Sequence, residues 1–140
     1  MEGQLHKHKK IKMNKRIVIR GLSLLFVAII LGAFGAHKLK ETLSVSELAS
    51  FNTGVRYQMY GAFFLLILGV NSSKFPFSIK LPTTIFFIGV GLFSISIYLL
   101  TVMNIENLNK ILGPITPVGG LLMIIGVGII LFKLLFSSEK

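Results

Sequence analysis

The sequence predicts an all-α integral membrane protein, a four-helix bundle with a short amphipathic surface helix in its first loop. Three observations carry this. The chain is 53% hydrophobic and only 14% charged, with a mean hydropathy of +0.79, where soluble domains carry about 25% charged residues. Its apolar residues are gathered into four long blocks. At 140 residues it is too short to bury all four in a core of its own, so lipid is expected to bury them.

The first block runs from Ile17 to Ala36 and the third from Leu81 to Met103. Each is long enough to cross about 30 Å of hydrocarbon at ~1.5 Å per residue. Pro82 reads as a first-turn residue of the third span, because its missing N–H would be orphaned there anyway. The fourth block, Ile115 to Phe136, holds one charge, Lys133, close enough to its end to reach the headgroups. Thr116 and Pro117 read as its N-cap and first helical residue. In the second block the purely apolar stretch Gly61 to Val70 is too short alone, so the span recruits Val55 to Tyr60, including Arg56. Ahead of it, Ser44 with Glu47 forms a potential capping box, after which Leu48, Phe51 and Val55 repeat at helical spacing. The first loop is therefore expected to be helical along the membrane surface and to bend at Gly54. The resulting organisation is a basic tail over 1–16, a four-span domain over 17–136 with spans at 17–36, 55–70, 81–103 and 115–136, and a short tail over 137–140.

Orientation follows from the cations. Eleven Lys and Arg residues fall at the N-terminus, in the second loop and at the C-terminus, whereas Lys38, Lys40, Arg56 and Lys110 fall on the other side. The positive-inside rule then places both termini in the cytoplasm of a bacterial inner membrane. The net charge of +10 becomes a juxtamembrane tail suited to anionic lipid headgroups. Nucleic acid is excluded as a partner, since no folded domain displays the basic residues. A cleavable signal peptide is a competing reading of the first block, but that block exceeds the usual apolar core of roughly 7–15 residues. Met1 to Lys12 also reads as an upstream extension, with Met13 a second candidate start.

Function classes narrow by absence. Without Cys there are no disulfides, thiolate nucleophiles or cysteine-ligated metals. The chain has no Asp, and Glu2, Glu41, Glu47, Glu106 and Glu139 all fall in tails or loops. Ion-driven carriers usually keep an ionisable group near the midplane, and two-carboxylate hydrolases need a pair. His6 and His8 could touch a metal, but a solvated tail is the commoner meaning, and no cofactor is expected.

The polar residues that approach the spans are expected to converge on the extracytoplasmic end: His37, Arg56, Tyr57, Gln58, Tyr98 and Thr116. Ser94 lies one turn beneath Tyr98 on the same face. Each has a structural meaning as belt, snorkel or interhelical bond; together they are the candidate binding site. Ala28, Gly32 and Ala36 form a smooth stripe on the first span, which suits close helix packing or a homo-oligomer.

The motifs LGAFGAHKLK (Leu31 to Lys40), GVRYQMY (Gly54 to Tyr60), FSISIYLL (Phe93 to Leu100) and LGPITPVGG (Leu112 to Gly120) resemble the domain-of-unknown-function 423 family, the YgdD-like small bacterial inner-membrane proteins. The resemblance covers Met13 to about Phe136. It implies four spans and no established activity, with some members associated with membrane integrity. His37, Arg56, Tyr57, Gln58, Tyr98, Pro114, Thr116, Pro117, Gly119 and Gly120 match the family pattern. Gly61 stands where the family commonly has His and Ile95 where it has Gly, which weakens an enzymatic reading. The expected role is a non-enzymatic lipid- or partner-binding protein supporting envelope integrity. A small channel or carrier subunit is the alternative, and an outward-facing enzyme on a lipid-linked substrate a third.

Overall fold

The computed structural model describes residues 12–103 and 106–137, and every regular element among them is helical. The helices are α1 (Lys15–Ala36), α2 (Lys38–Thr42), α3 (Val45–Val70), α4 (Lys80–Met103) and α5 (Glu106–Phe136), with a single 3-10 turn at Ser72–Lys74. The tail histidines His6 and His8, the lysines ahead of Lys12, and Lys140 lie outside the described residues.

Asn14 starts α1 twice over. Its side chain accepts from the Ile17 N–H, and its own N–H donates to the Gly69 carbonyl at 2.9 Å. A cap and an interhelical tie from one residue bring the start of α1 to the end of α3.

The first loop differs from expectation. Instead of a surface helix that bends into a span, the chain makes the five-residue α2 and then one continuous 26-residue α3. The capping box is complete: Ser44 Oγ accepts from the Glu47 N–H at 3.3 Å, and Glu47 Oε2 accepts from the Ser44 N–H at 2.9 Å. Gly54 serves close approach, since a Cβ there would lie 2.8 Å from Tyr98 Cε1. The Ser44 hydroxyl, and after it the Ser44 N–H, hold the Glu47 carboxyl below its usual value of 4.5. Because the folded pKa is the lower one, this contribution is complete above pH 4.5 and lost as pH falls through the folded value. Protection of the Ser44 amide, taken relative to its intrinsic exchange rate at each pH, is therefore expected to fall on acidification below pH 4.5. In Ser44→Ala that step should vanish.

The fourth span is also corrected. Thr116 and Pro117 do not open a helix; α5 begins at Glu106 and carries Pro114 and Pro117 inside it. Each proline leaves one carbonyl, of Lys110 or Gly113, without its i+4 donor. The helix continues because α5 is held along α4 by close glycine contacts at Gly89, Gly119 and Gly126, which outweigh a local propensity.

Neighbouring helices pack in the order α1, α3, α4, α5, and no Cα of α1 comes within 8 Å of one in α5 among the described residues. Ala28 is fully buried against Phe51 and Val55, and a Cβ on Gly32 would lie 3.5 Å from Val55. This part of the small-residue stripe is occupied by α3. Ile17, Leu65, Leu68, Phe86, Val90 and Ile130 join all four long helices in one apolar cluster.

Three helical segments are long and apolar enough to cross a membrane: Lys15–Ala36, Lys80–Met103 and Asn109–Phe136. α3 is not among them, and its position explains why. It lies between α1 and α4 and buries nine residues. On the faces that meet those two helices α3 can carry Gln and Gly, which a lipid-facing surface would not favour.

Candidate functional site

Gln58, Ser94 and Tyr98 are brought together in the interior. Gln58 is 4% exposed; its Nε2 donates to the Leu24 carbonyl of α1 at 2.9 Å, and its Oε1 accepts from the Tyr98 hydroxyl of α4 at 2.7 Å. One amide thus links three helices. Ser94, at 1% exposure, donates to the Gly54 carbonyl at 3.0 Å. Phe51 packs on the Tyr98 ring with centroids 5.0 Å apart. Each of these polar groups has its partner within the fold, as buried polar groups require.

The remaining residues lie elsewhere on the same end. Thr116 faces a different side of α4, where its hydroxyl pairs with Ser96 at 2.7 Å. With Ser50, Thr53, Ile97, Leu100 and Thr101 it lines a cavity of about 290 Å³ between α3, α4 and α5. Thr53 and Thr101 donate to carbonyls of their own helices, Ala49 and Ile97, so their oxygens keep lone pairs for a donor. Tyr57 is 44% exposed and packs at a tilt against Phe93 and edge-on against Tyr60, with centroids 5.0 and 6.0 Å apart. Arg56 is exposed, its Nε near the Asn52 carbonyl at 3.4 Å. His37 is exposed at the break between α1 and α2. Arg56, Tyr57 and His37 are thus the exposed rim residues of the candidate set, while Gln58, Ser94 and Tyr98 form an inner tie.

Ser96 and Thr101 escaped the sequence reading. The signal was present, since Ser94 and Ser96 cannot share one helix face and the second serine had to serve another neighbour.

A second polar cavity, also not anticipated, lies at the opposite end. It has a volume of about 530 Å³ and includes Lys12, Lys15, Arg16, Arg20 and Lys80 in its wall. Arg20 Nη1 donates to Thr84 Oγ1 at 2.6 Å, and its guanidinium lies 5.4 Å from the centre of the Phe87 ring.

Comparison with known proteins finds a family match and relatives named as membrane proteins. The model of a family described as "Protein of unknown function (DUF423)" matches residues 31–120. A UPF0382 membrane protein of Staphylococcus haemolyticus is 38% identical over 112 residues, covering 80% of this chain and 88% of the relative. The UPF0382 membrane protein YwdK of Bacillus subtilis is 38% identical over 113 residues, covering 79% and 89%. No solved structure matches the chain. The chain belongs to the DUF423 family.

Proposed function

From the premise of that membership, we propose a non-enzymatic protein of the bacterial cytoplasmic membrane. It crosses four times with both termini inside, and it binds lipid or a partner in support of envelope integrity. The observation that carries the reading is the exterior. Phe26 at 67% exposure, Ile124 at 70% and Leu135 at 71% present large apolar side chains on α1 and α5, far more than a water-facing surface of this size tolerates. α3 is the fourth span. Its 26 residues extend about 39 Å, longer than a hydrocarbon core of ~30 Å, so its capped start reaches into the headgroup layer. The relatives' names, as membrane proteins, support the membrane location itself.

The outer rim is the contact surface in this reading. Arg56, with no acidic neighbour within four residues, offers a planar fork to a headgroup or partner carbonyl; Tyr57, next to it in the chain, and the exposed His37 are assigned to the same surface in this reading, and the cavity at Thr116 supplies hydroxyl oxygens. Gln58, Ser94 and Tyr98 fix the helices that display the rim.

Cysteine labelling tests the placement. With an impermeant reagent on intact cells, cysteines replacing Lys38 and Lys110 should label, and one replacing Lys74 should not. Labelling at 74 from outside reverses the orientation. In a deletion strain sensitive to membrane-perturbing detergent, Arg56→Lys should restore resistance at least severalfold less well than the unchanged chain, because an ammonium cannot present two parallel donors. Full rescue would reduce Arg56 to a snorkelling anchor.

A further inference from the structure

We infer that the cavity at the N-terminal end of α1 is a binding site for a phosphate group, that of an anionic lipid headgroup or a free phosphate. Lys12, Lys15, Arg16, Arg20 and Lys80 line it together with Ser72 and Thr84, and among the described residues no carboxylate does. Five cations around one space repel one another, and an anion at the centre converts that repulsion into attraction. A volume of about 530 Å³ falls in the range of small-molecule sites, ~300–1,000 Å³.

The walls are built rather than incidental. Three separate parts of the chain form them: the residues leading into α1, the turn after α3, and the start of α4. The Asn14 N–H bonds the Gly69 carbonyl at 2.9 Å, and Ser72 Oγ donates to the Lys12 carbonyl at 3.3 Å. These bonds hold the backbone that carries Lys12 and Lys15.

Arg20 is the positioned member. A snorkelling arginine keeps its head in water without a fixed partner. Here the head is fixed by Thr84 Oγ1 at 2.6 Å and by the face of Phe87. Thr84 itself donates to the Lys80 carbonyl at 2.7 Å, which turns an oxygen lone pair toward Arg20. That contact uses one of the five guanidinium donors, and the others can meet two oxygens of a phosphate.

Only the source of the phosphate rests on the membrane reading: if this end faces the cytoplasmic leaflet, the lipid headgroup is the ligand within reach. The test uses the full chain purified in a neutral detergent. Native mass spectrometry and thermal melting are followed with phosphatidylglycerol, with phosphatidylcholine, and with inorganic phosphate alone. Phosphatidylglycerol should be retained and should raise the melting temperature, while phosphatidylcholine should not. Arg20→Gln and Lys80→Gln should each weaken retention about five- to tenfold, and Lys40→Gln, an exposed cation of α2 at the other end, should leave it unchanged. Lys80 is exposed, so its variant keeps the test valid if Arg20→Gln fails to fold. Stabilisation by inorganic phosphate to the same extent would support the site and assign it a soluble ligand. Equal retention of both lipids with no response to phosphate, or retention indifferent to Lys80→Gln, would overturn it. The topology labelling at position 74 reads separately: an outward Lys74 would defeat the cytoplasmic orientation while leaving phosphate binding in detergent intact.

Discussion

Gly119→Leu is expected to detach α5 from α4. A Cβ at Gly119 would collide with the backbone nitrogen of Phe93 and lie 2.8 Å from the Gly89 carbonyl; one at Gly89 would lie 2.7 Å from the Gly119 carbonyl and from the Met123 nitrogen. These obstacles are backbone atoms of two helices, so no rotamer change relieves them. Overpacking typically costs about 1–3 kcal/mol. Here a whole interface must open, and a loss of about 3 kcal/mol or more is expected, read as an earlier melting transition in detergent. Gly119→Ala should already lose most of this. Gly91→Ala and Gly128→Ala are the matched controls. Nothing lies within 4 Å of a Cβ at either position, and replacing a helical glycine by alanine at an unobstructed site should gain about 0.5–1 kcal/mol. Equal melting of the Gly119 and Gly128 variants would show that the close approach does not hold α5.

The same two helices show what a sequence can and cannot disclose. The apolar blocks and the Ser44–Glu47 box gave the ends of α1 and the start of α3, because blocks and caps are local. The start of α5 was not local. Thr116 followed by Pro117 has the chemistry of a helix start, yet the helix runs through both residues because the chain around Gly119 lies against Gly89 and Phe93. The Gly residues were visible; which helix each would meet was not. Likewise Ser94 and Tyr98 were placed on one face by their spacing, and they do face α3 together. The separation of Thr116 from them depends on which side of α4 receives α5, and the side chain of Ser96 is what records it. Arg20 was read as one more cation, because its meaning lies in Thr84, 64 residues away.

Gln58→Leu should show whether the inner tie holds the rim in place. The substitution keeps bulk and removes the amide, leaving the Tyr98 hydroxyl without its acceptor and the Leu24 carbonyl without its interhelical donor. Hydrogen bonds between membrane helices contribute modestly, about 0.6 kcal/mol on average and up to ~1.7, whereas a buried group left unpaired costs about 1–3 kcal/mol. The loss from Gln58→Leu is therefore expected at about 2–3 kcal/mol. Tyr98→Phe removes one bond and strands only the Gln58 Oε1, at the low end of that range, and should cost less, about 1 kcal/mol. In the double variant no hydroxyl is stranded, so the loss should fall short of the sum by about 1 kcal/mol, the signature of direct coupling. Additive losses would mean that the two residues act separately. The variants also divide fold from function: if Arg56 and Tyr57 form the contact surface, Tyr98→Phe should leave rescue of detergent resistance intact while the protein melts earlier. A Tyr98→Phe chain that reaches normal levels in the membrane yet fails to rescue would move the site inward, to the tyrosine hydroxyl itself.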